Sequence, residues 1–235
     1  MKILITNDDG LKSTGLKILA SIAKEYGEVI CVAPILEQSA KSHALKLKEG
    51  ILFKQVKDII NGVKTYLIDG TPSDCVQIAY YHLKYDFDIV LSGVNNGFNV
   101  GEDILYSGTV GAAEEALIVN KKGIAFSTTP SIITGLDKSL NEVFRYIFDN
   151  KLLDKSSLFN INIPYEYNSI KITKQGIKFT NTYFKKINDK YLYSFIKNDE
   201  LKKIDIDTDV YAINNKIISI TPLKIDRTNY DFFKN

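Results

Sequence analysis

Apolar positions along this chain fall into two alternating patterns. Short unbroken runs at Lys2–Thr6 (KILIT), Val29–Ala33 (VICVA), Phe87–Leu91 (FDIVL), Ile124–Ser127 and Leu158–Ile163 (LFNINI) read as strands buried on both faces, with Thr65–Ile68 a shorter one. Between them apolar residues recur at helical spacing. Leu16, Leu19, Ile22 and Ala23 do so up to the stop signal at Gly27, and residues 109–120 and Leu136–Asn150 follow the same rule. Thr71-Pro72-Ser73-Asp74 reads as an N-cap with Pro at the first helical position, opening a helix to about Lys84. Residues 35–64 are less regular and fit a hairpin or extended loops. Strands alternating with helices imply an α/β fold, a mostly parallel sheet with helices on both faces. After Pro164 the pattern changes to short alternating segments, Ile170–Thr173, Lys190–Ile196 and Lys216–Ile220. The expectation is an α/β core over 1–164 and a β-rich extension over 165–235, an arm suited to contacts between subunits that returns in part to the core.

Composition narrows the class. With 235 residues, 45% hydrophobic and 25% charged, the chain can bury a real core, which excludes global disorder. Thirty basic residues against 28 acidic ones leave a net charge of +2, and only Arg145 and Arg227 are arginines. A surface that coats nucleic acid, or an Arg cluster that reads phosphates, is therefore not expected. Cys31 and Cys75 have no CxxC or Cys/His spacing, which argues against a disulfide scaffold and a structural zinc site. No apolar run approaches a membrane span, and Met1 leads straight into a strand-like run rather than a signal peptide. A soluble, cytoplasmic protein is the expectation.

Glycine locates the chemistry: 12 of 14 lie within residues 1–123, where tight turns let backbone approach a ligand. In an open α/β sheet, ligands bind beyond the carboxyl ends of the strands. Three polar segments fall there: Asn7-Asp8-Asp9-Gly10, Glu37-Gln38-Ser39, and the stretch from Ser92 to Ser107. Adjacent Asp8 and Asp9 repel unless a divalent cation of the oxygen-loving kind holds both ionised. A solvated turn or a helix N-cap is the competing reading of that pair. Gly93, Gly97 and Gly101 recur every four residues among Asn95, Asn96 and Asn99, and Ser107-Gly108-Thr109 then opens a helix whose free N–H groups suit an anion. Neither a dinucleotide GxGxxG nor a P-loop is present, so this segment is a phosphate site without a standard nucleotide fingerprint, or else a long turn with an ordinary cap. His43 could act as a general acid or base, whereas His82, on a helix, reads as structural.

Taken together, the blocks ILITNDDG (residues 3–10), Gly15, Ala33-Pro34, Gln38-Ser39, Asp69-Gly70-Thr71-Pro72 with Asp74-Cys75, and SGVNNGFNVGEDILYSGTVGAAEEA (residues 92–116) resemble the SurE family of stationary-phase survival proteins, which are metal-dependent nucleoside monophosphate phosphatases. The blocks occur in family order over about residues 1–130, and the remainder is similar only in general character. The resemblance implies a Rossmann-like core and a C-terminal portion exchanged between subunits, giving a homodimer or homotetramer. It implies one divalent cation, Mg²⁺ or Mn²⁺, on Asp8, Asp9, Ser39 and Asn95. Asn96, Ser107, Gly108 and Thr109 would cradle the phosphate, and His43 would stand near the leaving group, with Asp8, Asp9, His43 and Asn96 forming the catalytic set. Nucleoside monophosphates would be the substrates, with no membrane or stable nucleic-acid partner. This chain carries Ile35-Leu36-Glu37 where Asp-Arg-Asn is frequent, and Lys41 where Gly is frequent. A response-regulator receiver is the first rival, but it needs an Asp ending the central strand, where Ser92-Gly93 stands here. A non-catalytic metal- and nucleotide-binding protein is the second.

Overall fold

Residues 1–57, 59–129, 134–177, 180–197 and 205–234 are described by a computed structural model. The first half alternates β1 (Lys2–Thr6), α1 (Thr14–Ala23), β2 (Glu28–Pro34), β3 (Phe53–Val56), β4 (Lys64–Ile68), α2 (Pro72–Gln77), β5 (Ile89–Asn96) and α3 (Gly108–Ile118). There follow β6 (Lys122–Thr128), α4 (Leu136–Asp149), α5 (Leu152–Lys155), β7 (Leu158–Ile163), β8 (Ser169–Ile172), β9 (Thr180–Ile187), β10 (Lys190–Lys197), α6 (Asp209–Asn214) and β11 (Ile217–Pro222). The irregular stretch 35–64 does end in a hairpin partner, because β3 pairs antiparallel with β4. The α2 segment is capped by Thr71, whose hydroxyl and backbone exchange hydrogen bonds with Asp74. It passes into a π-helical turn at Ile78–His82, so the helix expected to reach Lys84 is α-helical only to Gln77. There the His82 ring meets Phe53 edge-on at 4.9 Å.

Nine strands form the main sheet in the order β3-β4-β2-β1-β5-β6-β7-β11-β8. From β4 to β7 all neighbours are parallel, and in their own sequence order those six strands run 3-2-1-4-5-6. That is the doubly wound Rossmann order, whose direction of winding reverses between β1 and β5. Successive side chains of β1 serve opposite layers. Ile3 and Ile5 pack with Leu16 and Leu19 of α1 and Leu140 and Phe144 of α4, while Leu4 packs with Val76 of α2 and Ala112 and Ala116 of α3. Gly93 has φ +134°, and a Cβ there would lie 2.4 Å from the Phe126 carbonyl oxygen, so β5 passes β6 at this point only as glycine. The register is irregular between Ser92 and Asn95 and then resumes, so Asn95 and Asn96 still belong to the strand.

The C-terminal extension is not a separate body. β11 inserts antiparallel beside β7 and carries β8 parallel on its far side, with Ile218 and Ile220 fully buried in the main core. Among the described residues, β9 and β10 form a separate sheet, an antiparallel hairpin. The short α6, absent from the sequence reading, is capped by Thr208 and begins with the fully buried Asp209.

Candidate active site

The reversal between β1 and β5 places two strand ends side by side, and both carry polar groups. Beyond β1 the fully buried Asn7 closes the turn by donating from Nδ2 to the Gly10 carbonyl (3.0 Å), which directs Asp8 and Asp9 toward the end of β5. The backbone N–H of Asn96 then donates to Asp9 Oδ2 (3.2 Å), tying the two strand ends together. The loop after β2 is drawn over them by Gln38 N–H on the Asp8 carbonyl (2.7 Å) and Leu11 N–H on the Pro34 carbonyl (3.1 Å). A cavity of about 310 Å³ results, lined by Asp8, Asp9, Ser39, Asn95, Asn96 and Ser107, with Glu37, Phe98 and Tyr106 also in its wall. Six of the sequence-derived site residues therefore share one cavity although they span a hundred positions.

Helix α3 starts at this cavity. Ser107 caps it by accepting from Val110 N–H (3.1 Å), and a hydroxyl accepting in this way still has its own proton to donate. Thr109 is fully buried and donates its hydroxyl to Asp8 Oδ1. Gly108 also lies against Asp8, since a Cβ there would be 3.2 Å from the Asp8 Cβ. Neither Gly108 nor Thr109 lines the cavity. The position of Thr109 makes it a group that orients Asp8.

Burial pushes the Asp8 carboxyl above its ordinary range, against the hydrogen bonds from Thr109. Burial, then the charge of Asp8, raises Asp9 to about 6, and Glu37 adds to both shifts. Such a pair is stabilised in its ionised form by a cation. The donors are all oxygens, as hard divalent ions prefer. Asn95 uses its Nδ2 on the Gly97 carbonyl (2.8 Å), leaving its amide oxygen for a cation, and Ser39 Oγ donates to Glu37 Oε1 (2.5 Å) while keeping its lone pairs. Among the described residues no three His, Cys, Asp or Glu side chains are grouped to hold a metal, and the Ser39 hydroxyl and Asn95 amide are the further side-chain oxygens this cavity offers beside the two carboxylates. Those residues fit a divalent ion.

Below the cavity, the loop after β5 is held by a buried amide network that the sequence reading missed. Asn99 donates from its backbone to Asn162 Oδ1 (2.8 Å) and from Nδ2 to Ser127 Oγ (2.8 Å), and its carbonyl accepts from Asn160 (2.7 Å) and Asn162 (3.0 Å). Asp209 accepts from Gly101 N–H (3.0 Å) and Gly176 N–H (2.8 Å), joining α6 to the same loop. The only legible signal was asparagine at alternate positions of an otherwise apolar strand, in LFNINI.

A model of the family described as survival protein SurE matches residues 3–188. The chain belongs to the SurE family. It is 39% identical to the 5'-nucleotidase SurE of Clostridium botulinum (strain ATCC 19397 / Type A), covering all of this chain and 97% of that protein. It is 36% identical to the 5'-nucleotidase SurE of Alkaliphilus metalliredigens, covering 100% and 96%. Its fold superimposes on the crystal structure of the SurE protein from Aquifex aeolicus with a TM-score of 0.84, at 33% identity, covering 100% and 97%.

His43 is not among the residues lining the cavity. Its ring lies between two carboxylates of α3, with Nδ1 3.3 Å from Glu114 and Nε2 2.5 Å from Glu115. Hydrogen bonds to Glu114 and then Glu115 hold its pKa up to about 9, against an ordinary 6.5. A folded-state pKa raised in this way contributes stability that is fully present below pH 6.5 and lost as pH rises through 9. Wild type should melt about 3–6 °C above His43→Gln between about pH 5 and 6.5, with the gap closing between pH 7 and 9 as the imidazolium loses its proton and closing again in acid as the partner carboxylates gain theirs. Scanning calorimetry across that range checks it, and a gap independent of pH would remove the charged imidazole from the account.

Proposed function

We infer that this SurE-family protein hydrolyses nucleoside monophosphates to nucleoside and inorganic phosphate, with one divalent cation per subunit, Mg²⁺ or Mn²⁺, on Asp8, Asp9, Ser39 and Asn95. The observation that carries the reading is the meeting, in one cavity, of the buried Asp8 and half-buried Asp9 carboxylates, both of raised pKa, with a helix N-terminus: a cation site beside an anion site. The ion's contribution, when bound, is to polarise a phosphoryl oxygen and lower the pKa of a bound water. Ser107 donates its hydroxyl to the phosphate at the start of α3, where the helix dipole favours negative charge. Asn96 has its backbone N–H on Asp9, so its side-chain amide serves the phosphate. Thr109 fixes the rotamer of Asp8. Water is the attacking group, because Asp8 and Asp9 are each engaged by a neighbour, Thr109 and Asn96 respectively. Phe98 and Tyr106 offer rings at the cavity wall against which a sugar or base packs.

Assembly into a homodimer or homotetramer is part of the same proposal, supported by the stand-off hairpin, which exposes Tyr183, Phe184, Ile187, Tyr191, Leu192 and Tyr193. No helix among the described residues is long and apolar enough to cross a membrane, and a cytoplasmic location is proposed. Phosphate release from a nucleoside monophosphate tests the activity directly. Chelation with EDTA should lower the rate by more than about 100-fold, the scale of losing one electrostatic element of a site, and Mn²⁺ or Mg²⁺ should restore it. Full turnover in chelated buffer would sink the metal-dependent reading, and metal binding without turnover would favour a non-catalytic binding protein.

A further inference from the structure

We propose that His43 is a positioning residue, which fastens the loop bearing Ser39 to helix α3 through a ring clamped between Glu114 and Glu115, rather than an acid that meets the leaving group. The proposal rests on the phosphatase reading above and concerns how that site is held. A general acid must bring an N–H within about 3 Å of the oxygen it protonates. Both ring nitrogens of His43 already face carboxylates, so neither is left for a leaving oxygen. The Glu115 side chain is only 4% exposed, and its second oxygen accepts from the Gln77 amide of α2. A side chain that deeply placed is held by its hydrogen bonds to Gln77 and His43, and an ionised carboxylate there is costly without a partner of opposite charge. The raised pKa of His43 agrees with a cation in the clamp.

The loop around His43 is fastened on both sides of the ring: beyond it the Thr71 hydroxyl donates to the Ala44 carbonyl (2.6 Å), and before it the backbone is held in an unusual conformation. Ala40 and Ser42 have φ of 55° and 53°, in the left-handed region that residues with a Cβ adopt at a cost. What keeps them there is contact with the segment that leads into α3 and with its first turn. Ser42 donates from its N–H to the Tyr106 carbonyl (2.9 Å) and from its hydroxyl to the Leu105 carbonyl (2.6 Å). Gly111 lets the backbones close up, since a Cβ on it would lie 2.7 Å from the Ser42 carbonyl oxygen and 2.9 Å from the His43 Cα. The clamp adds a charged contact directly to α3, four positions beyond Ser39, whereas the next charged residue of the loop, Lys46, pairs with Asp69 instead. Because the first turn of α3 also holds Asp8 through Thr109, one helix sets both Asp8 and the Ser39 loop, and His43 fixes the separation between them.

The test compares wild type, His43→Gln and Glu114→Gln by calorimetric titration with Mn²⁺. It also measures turnover of a nucleoside monophosphate and of p-nitrophenyl phosphate, whose leaving phenolate needs no proton. For His43→Gln the Mn²⁺ Kd should rise about tenfold, the lower end of what is lost when a group that orients a metal ligand is removed. At saturating Mn²⁺ its kcat should return to within about threefold of wild type on both substrates. Glu114→Gln, which loosens only the longer contact, should raise the Kd about threefold, and it carries the test if His43→Gln does not fold. Unchanged Mn²⁺ affinity in the folded variants overturns the proposal. So does a kcat that stays more than 100-fold down on the nucleotide while remaining normal on p-nitrophenyl phosphate, which is the signature of a lost general acid. If wild type releases phosphate from neither substrate, the phosphatase reading fails, while the Mn²⁺ titrations still decide the role of His43.

Discussion

Asp9→Asn should lower phosphatase turnover at least about 100-fold at ordinary metal concentration, with partial recovery as Mn²⁺ is raised. The exchange keeps the side chain's shape, and an amide oxygen can still accept from Asn96 N–H. What is lost is a negative charge that the buried site already holds with difficulty, as the rise of Asp9 to about 6 indicates. In the proposed site a cation would offset that cost, so removing the charge should weaken the attraction for the cation. Ser107→Ala is the matched control on the phosphate side. It removes a donor at the start of α3 and the cap of that helix, the latter costing about 1 kcal/mol of stability. Its expected deficit is weaker binding of substrate and inorganic phosphate, with Mn²⁺ affinity unchanged and no rescue by added metal. A metal titration of rate for each variant, beside calorimetric Mn²⁺ binding, separates the two. Equal rescue of both, or wild-type turnover in Asp9→Asn, would overturn the assignment of roles.

Ending the chain at Pro164 should abolish folding, whereas removing the hairpin should spare both fold and metal affinity. Truncation strips β11 from β7 and turns that fully buried strand into an edge of the sheet. It also removes the buried Ile218, Ile220 and Val210, each worth about 1.5–3 kcal/mol, together with Asp209 and its hold on the loop at Gly101. Against a typical total of about 5–15 kcal/mol, that loss is decisive. The hairpin is different. Its two ends enter and leave near one point, where Gly176 N–H reaches Asp209 Oδ1 (2.8 Å) and Lys174 bridges Thr208, so a short Gly-Ser linker can replace residues 178–204. This variant should melt cooperatively and bind Mn²⁺ like wild type, yet run as a monomer in light scattering at micromolar concentration. A cooperative melt for the truncated chain, or loss of folding on hairpin deletion, would reverse this division of the C-terminal third.

That division shows where sequence reading reached its limit. The core strands were legible because strands buried on both faces must be continuously apolar, and LFNINI was read at the bounds it has in the fold. The Asp8-Asp9 turn and the Ser107 cap were legible for a similar reason, since a strand end and a helix start each carry their chemistry in adjacent residues. The β1-to-β5 reversal was not. Strand order is a matter of which run pairs with which, and KILIT bears no mark that places FDIVL at its side. Thr109 looked like part of a phosphate cradle, and only the fold turned it toward Asp8, 101 positions earlier. The same limit hid the clamp on His43, the asparagine network under the site and the choice of β7 as the partner of β11, and it left α6, a six-residue helix, below the length at which periodicity speaks. By itself the sequence determined the core strands and the longer helices, which of their ends are polar, and the family to which the chain belongs. Tertiary structure alone decided which groups meet, because burial and periodicity are properties of neighbouring residues, whereas a hydrogen bond across a hundred positions exists only once the register of the whole sheet has been set.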